Sequence, residues 1–355
     1  MNFSSLREAY GAMREPGFCI KVDGTRLETG GDARPLRVEC HLTSTCQAGM
    51  LRLEAALDPG GEHGAAWLDA VQPGAVCSLS LGYGDSLTDV FRGFFYDVLW
   101  NDPLDGGTIL LEAVCLDVRG RLMLTSHADA GANRTLSQLV DAILGQSCCT
   151  ELASKRTVEQ PPGDWDLPVQ RLGLSDYQVI CEAADFLCYE FYAFADELYF
   201  GPPRPESGPA VTFDGANGLT RLARRRTLAD QCAAVTVSGT NDAGERVSSR
   251  YPRTGDSGFG TDKMSGVLTG DFHYPEALVR TMAQAQYLSQ ARMERRQRQA
   301  GGLAGNCVGL PELRPGRFIQ AADLSGPVNG TYYVHTVRHV LDETGFQTWF
   351  EAEDE

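Results

Sequence analysis

Hydrophobic residues in this chain fall mostly in short runs that Gly and Pro interrupt, the texture of many short strands. Phe18–Val22 reads as one strand, Asp23-Gly24 as its tight turn, and Thr25–Leu27 as the start of the return. Leu36–Leu42 and Leu51–Leu57 follow. Beyond Pro73-Gly74 come a run ending at Tyr83, a run from Val90 to Trp100 and, after Gly106-Gly107, a run from Thr108 to Val114. Together they predict a barrel or sandwich over about residues 17–125. Ahead of them, residues 1–16 predict one short helix with Leu6, Tyr10 and Met13 on one side.

The period changes at Asn133. Thr135-Leu136-Ser137-Gln138 forms a capping box, and Leu136, Leu139, Val140, Ile143 and Leu144 share a helical face that Gly145 ends. A second capping box at Ser175–Gln178, with Leu174 and Val179 spaced as a hydrophobic staple, opens a helix to about Leu187. Tyr189–Phe194 and Leu198–Phe200 then read as a hairpin around Asp196-Glu197. Pro202–Pro205 marks a boundary. Strand texture resumes at Val211–Phe213 and Ala233–Ser238. Residues 240–270, rich in Gly, Ser, Thr and Asp, read as a long loop, and Pro275 opens a helix to about Gln299 that Gly301-Gly302 stops. Its Arg292, Arg295, Arg296 and Arg298 complement the helix dipole, with an acidic partner as the alternative.

The last fifty residues have a layout met once before. Pro315-Gly316 precedes a short strand Arg317–Gln320, a Gly326–Gly330 turn leads to a long strand Tyr332–Leu341, and Asp342–Gly345 returns the chain as Phe346–Glu351. In Gln72–Val114, too, Pro-Gly precedes a short strand and a glycine stands just before an aromatic pair. The pairs are Gly93-Phe94-Phe95 and, with one residue inserted, Gly330-Thr331-Tyr332-Tyr333. Both blocks close on Glu-Ala, at Glu112-Ala113 and Glu351-Ala352. This is the signature of a duplicated β unit. The expected fold is α+β, mainly β: a first β-barrel domain over 1–127, a small α+β domain over 128–205, and a second barrel domain over 206–355 carrying the helix at about 275–299.

The chain is long enough, at 355 residues, for two or three cores, and no apolar run approaches a membrane span. The first residues lack the apolar segment of a secretory signal. Eleven cysteines without a Cys-x-x-Cys argue for reduced, mostly buried thiols and synthesis in a cytosol, with Cys148-Cys149 packed rather than bonded. A net charge of −16 argues against a stable grip on nucleic acid or anionic lipid, though not against a wall past which nucleic acid slides.

Candidate chemistry is thin. Gly84-Asp85-Ser86-Leu87 resembles the first signature of GDSL esterases, with Ser86 as nucleophile, and Gly239-Thr240-Asn241-Asp242 resembles their Gly-x-Asn-Asp block. That family's Asp-x-x-His base is missing: no histidine here has an aspartate three positions before it. Without a base the serine is a weak nucleophile, so a serine esterase stands as the alternative to a polar turn. His335 and His339 have zinc-pair spacing for a helix, but Tyr332–Leu341 is strand-like, and residues four apart on a strand lie about 13 Å apart. No phosphate loop, His-Glu-x-x-His or calcium loop occurs. No catalytic, metal or cofactor residue is expected.

Three further groups of residues carry a resemblance. Leu81-Gly82-Tyr83 with Val90-Phe91-Arg92-Gly93, the helix and hairpin of Phe186–Phe200, and Leu313-Arg314-Pro315-Gly316 with Tyr332-Tyr333-Val334 follow in the order seen in the late control D family of phage tail baseplate hubs. The chain resembles that family over most of its length, residues 1–16 and 240–270 excepted, and resembles the hub part of type VI secretion spike proteins. The resemblance implies a non-enzymatic homotrimer in which two related barrels per subunit make a ring of six, joining a six-fold tail tube to a three-fold spike. It also implies the partners: a separate trimeric spike protein, since the chain stops at Glu355, a tail tube or tube-initiator protein, baseplate wedge proteins and a tape-measure protein. The expected location is the tail baseplate of a virion or injection particle assembled in the bacterial cytoplasm.

Overall fold

The computed structural model describes residues 2–104, 106–126, 135–163, 165, 174–204, 208–214, 218–254, 267–324 and 326–355. The first part holds α1 (Phe3–Ala9), β1 (Pro16–Val22), β2 (Thr25–Arg26), β3 (Ala33–Thr43), β4 (Met50–Leu57), α2 (Glu62–Ala70), β5 (Val76–Tyr83), β6 (Ser86–Asn101) and β7 (Ile109–Leu116). Asp23 and Gly24 both have positive φ, the backbone that closes a two-residue hairpin. Helix α2 escaped the hydrophobic pattern because it is short and buries chiefly Trp67, whose indole N–H donates to Glu28 O at 2.8 Å. Asp32, just ahead of β3, caps it by accepting from the His63 and Gly64 amides.

The middle part holds α3 (Val118–Met123), α4 (Leu136–Leu144), α5 (Ser147–Thr150), β8 (Lys155–Val158), α6 (Asp176–Leu187), β9 (Glu190–Phe194) and β10 (Glu197–Gly201). Both expected capping boxes form, Thr135 with Gln138 and Ser175 with Gln178. β10 lies between β8, parallel, and β9, antiparallel. The change of period expected at Asn133 falls outside the described residues.

The rest holds β11 (Val211–Asp214), β12 (Leu219–Arg226), β13 (Ala234–Thr240), β14 (Arg246–Pro252), β15 (Asp271–Pro275), α7 (Met282–Arg298), β16 (Gly301–Val308), β17 (Arg317–Ala322), β18 (Gly330–Asp342) and β19 (Gly345–Asp354). Residues 240–270 are not one loop. Asn241 accepts from the Ala243 and Glu245 amides, and this turn folds β14 back on β13; residues 255–266 lie outside the described set. The long helix starts seven residues later than Pro275, which ends β15. Its real start is a third capping box, Thr281 with Gln284. Gly301-Gly302 then opens β16 against β19. A side chain at Gly305 in that strand would overlap the Phe350 ring.

Thirteen strands form one sheet, ordered β12-β16-β19-β18-β3-β4-β7-β6-β5-β1-β2, with β17 also on β18 and β11 on β17. The order is open: the two closed barrels expected from the sequence do not form among the described residues, because the end strands β2 and β12, and β11 beside β17, do not pair back to complete a ring. One hydrophobic core serves both β units, from Phe3 and Trp67 to Leu303, Val337 and Phe350. A second core joins α3, α4, α6 and β9–β10 to β13 and α7 through Leu122, Val140, Ile180, Phe200, Val235 and Leu288. Packing therefore groups β13–α7 with the helical middle of the chain, across the expected boundary near residue 205.

Candidate functional site: a repeated seam, open sheet edges and a junction cleft

The duplicated block is a repeated bend. β6 pairs with β5 up to Phe94 and then carries on along β7, and the register slips by one residue between Phe95 and Asp97. β18 pairs with β17 up to Val334, and its register with β19 slips between Val334 and Thr336. Tyr96 and His335 are thus equivalent bulge residues, and a bulge bends the strand that carries it. Gly74 and Gly316 complete the match. Each follows a proline, each has positive φ, and their amides donate to Phe95 O at 2.8 Å and Val334 O at 2.9 Å. The other sequence markers are not equivalent. With the bulges aligned, Gly93 matches Tyr332 rather than Gly330. Ala113 lies opposite Val98 beyond one bulge, and Ala352 opposite Val334 before the other.

The two units meet where the outer half of β18 pairs with β3, Thr336 to Thr43 through Asp342 to Arg37. A charge network holds this register. Arg338 donates to Glu39 at 2.6 Å, Arg37 to the other Glu39 oxygen at 2.8 Å and to Asp342 at 3.4 Å. These arginines hold the Glu39 carboxyl below its ordinary range although burial opposes them. Beyond the seam, each unit supplies four strands in the same order, β3-β4-β7-β6 and β12-β16-β19-β18. Among the described residues, the corresponding half of β6, beyond Phe94, pairs with β7 on one side only. Among the same residues β12 pairs only with β16. Leu99, half exposed at 50%, lies on that open half of β6, and exposed Arg221 and Arg225 lie on β12.

Beneath the seam, the loop 44–49 between β3 and β4 is held to the helical part. Asp117 caps α3 and accepts from the Gly49 amide at 2.7 Å. Arg119, wholly buried, pairs with Asp117 at 2.6 Å and donates to Thr45 O and Phe191 O. Tyr177 donates to Cys46 O at 2.7 Å. A cleft of about 550 Å³ opens here, lined by Ser44, Cys46, Cys181, Glu190, Arg295 and His335 among others. Burial pushes the Glu190 carboxyl up to about 7, against hydrogen bonds from Tyr333, at 2.5 Å, and Ser44.

The residues singled out from the sequence are dispersed. Ser86 lies opposite Tyr83 at the exposed β5–β6 turn, whereas Gly239 and Thr240 end β13 in a separate sheet, so no esterase constellation forms from them. His335 sits at the bulge and bonds Thr336 Oγ1. His339 is wholly buried between Thr348 Oγ1 at 2.9 Å and Leu313 O at 3.2 Å, and burial depresses it to about 4. Among the described residues, no three His, Cys, Asp or Glu side chains are grouped to hold a metal. The α7 arginines have partners within the chain: Arg292 pairs with Glu276 at 2.6 Å, Arg295 with exposed Asp185 at 2.9 Å, and Arg296 lies over Phe272 at 3.9 Å. What sequence reading missed is the Asp117–Arg119 pair, whose one local signal was an aspartate at a strand-to-helix turn, and Glu190, which had none.

Comparison with known proteins places this architecture. No family model matches the chain, and no curated protein matches it in sequence. Solved structures do: the chain has the fold of phage tail proteins and of a related secretion-system component. A tail protein from Neisseria meningitidis superposes with a TM-score of 0.70 at 12% identity, covering 96% of this chain and 97% of that one. The 43 kDa tail protein of prophage MuSo2 from Shewanella oneidensis superposes at 0.65 with 14% identity, covering 96% and 98%. An E. coli type VI secretion system component, described as structurally similar to the T4 phage tail proteins gp27 and gp5, superposes at 0.61 with 12% identity, covering 95% and 76%. The resemblance read from the sequence thus holds at the level of the fold. Among the described residues, no helix is long and apolar enough to cross a membrane.

Proposed function

We propose that the chain is a structural baseplate hub of the late control D type, a homotrimeric ring that joins a six-fold tail tube to a three-fold spike. The observation that carries this reading is the β18–β3 seam. In it, the open half of one unit's long strand accepts the first strand of the other unit's four. Among the described residues the same half of β6 is open, and the strand equivalent to β3 in the second unit is β12, also open. Repeating the seam between copies therefore sets β12 of one subunit on β6 of the next. Three subunits with two units each then close as six similar segments, a head-to-tail arrangement whose rotation closes.

The register follows from the repeat. His335 matches Tyr96 at the bulges, and Cys40 matches Arg224 through the paired strands β4–β7 and β16–β19. The seam pair Arg338 and His41 then becomes Leu99 and Arg225, with Asp97 diagonal to Arg225. This covers half-exposed Leu99 and sets an acid beside an arginine, the pairing a cross-strand contact favours. The domains in this reading are residues 1–127, 128–205 and 206–355. The partners are a separate trimeric spike, a tube or tube-initiator protein, wedge proteins and a tape-measure protein, in a tail assembled in the bacterial cytoplasm. The role is geometric, with no catalytic residue and no stable grip on nucleic acid or lipid.

The test is a chain carrying Leu99→Cys with Arg225→Cys. Mild oxidation is expected to give a covalent trimer whose peptide map joins positions 99 and 225. A strict monomer by native mass at every concentration, together with no such link, overturns the reading.

A further inference from the structure

Three pairs of thiols are neighbours in this chain, and their surroundings separate them. Cys77 and Cys115 face each other on β5 and β7 in the wholly buried core, closed to solutes. Cys148 and Cys149 are sequence neighbours on α5, with sulfurs 3.9 Å apart, and bridging adjacent residues strains the backbone. Cys46 and Cys181 differ from both. The Tyr177 hydroxyl on Cys46 O sets Cys181, one helical turn further on, toward the Cys46 loop; both thiols are only partly buried, and both line the open junction cleft.

The backbone around this pair is held in place. Thr45 O accepts from Arg119, Cys46 O accepts from Tyr177, and Thr43 Oγ1 donates to Gln47 O at 2.9 Å, so the loop presents Cys46 in one position. Tyr177 lies four residues before Cys181 on α6, so hydroxyl and thiol share one helical face against the loop. Cys188, which lines the same cleft, follows the end of α6 in left-handed backbone.

We propose that Cys46 and Cys181 form a disulfide when the chain meets a low-molecular-weight disulfide such as oxidised glutathione. The Cys46 thiolate attacks one sulfur of the small disulfide, giving a mixed disulfide and releasing one small thiolate. The Cys181 thiolate then attacks the Cys46 sulfur, closing the protein disulfide and releasing the second. Two protein thiols are oxidised and one small disulfide is reduced to two thiols, with two protons passed to them. Cys46 is suited to the first attack: the hydrogen bond from Cys181, with help from Arg119 and Arg295, holds its thiol below the ordinary range despite burial. The bond would tie the β3–β4 loop to α6, joining the first β unit to the helical part across residues 46 to 181. Reduced in a cytosol, the chain would stay unlinked there and lock on leaving it.

The experiment is incubation of the folded chain with oxidised glutathione, followed by non-reducing digestion and mass spectrometry. The expected product is a Cys46–Cys181 peptide two hydrogens lighter than its parts, with a raised melting midpoint that dithiothreitol reverses. Cys181→Ser should leave Cys46 carrying glutathione, whereas Cys148→Ser should leave the link intact. A Cys46–Cys188 link, or Cys46 held as a stable glutathione adduct while Cys181 is present, would overturn the assignment. So would a chain in which Cys148 or Cys149 reacts and no linked Cys46 appears.

Discussion

Replacing Glu190 by Gln should make the protein increasingly more stable than the parent as pH rises. The Glu190 carboxyl sits in the cleft wall, receives the Tyr333 hydroxyl at 2.5 Å, and is pushed up to about 7 from 4.5, chiefly by burial. A carboxyl whose folded value is raised binds its proton more tightly in the native state. Its contribution is fully present below the unfolded value and is lost as pH rises through the folded one. A displacement from 4.5 to about 7 corresponds to roughly 3 kcal/mol, an upper bound because the cleft is open to water. Gln keeps an acceptor for Tyr333 and carries no charge, so the variant escapes this loss. The parent curve alone would hide the effect. Buried His339, depressed to about 4 by desolvation, works in the opposite sense: its contribution is present above its unfolded value and is lost as pH falls. The two nearly cancel between about pH 4.5 and 6.5. The measurement is therefore the stability difference between variant and parent, from denaturant titrations at pH 4.5 to 8. It should grow toward roughly 3 kcal/mol in favour of Gln. A flat difference over that range, or one that grows in favour of Glu, would refute the reasoning.

Other expectations follow from the same packing. Asp117→Asn should cost about 3–5 kcal/mol in denaturant unfolding, because it leaves the wholly buried Arg119 guanidinium without its counter-charge. Adding Arg119→Met should recover part of that loss; no recovery would mean that the hydrogen bonds to Thr45 and Phe191, rather than the charge, hold the loop. Gly74→Ala should cost about 1 kcal/mol for its positive φ alone, since the space beside it is empty. Gly316→Ala should cost clearly more, because its new methyl would meet the Tyr192 ring. Equal losses on thermal unfolding would count against the packing argument.

Local chemistry was legible in the sequence wherever a few neighbouring residues decide the backbone. The capping boxes at Thr135 and Ser175 set where α4 and α6 begin, because each supplies its own partners within three residues. The Asp23-Gly24 turn and the paired Pro-Gly bends were readable for the same reason. Where the sequence misled, a distant contact had decided. Pro275 ends a strand because β13 lies beside it; Arg-rich β12, for which the sequence offered no reading, is a strand because β16 and β19 offer it a sheet. The sequence alone determined that the chain contains a repeated β block and carries a net negative charge. Only the tertiary structure decided that the repeat is a bent strand rather than a closed barrel, because a bulge is defined by pairing across strands. It alone showed that β18 accepts β3 while, among the described residues, β6 and β12 keep an open edge, and that Glu190 and Cys46 face one cleft. Those relations join residues far apart in sequence, and no local spacing encodes them.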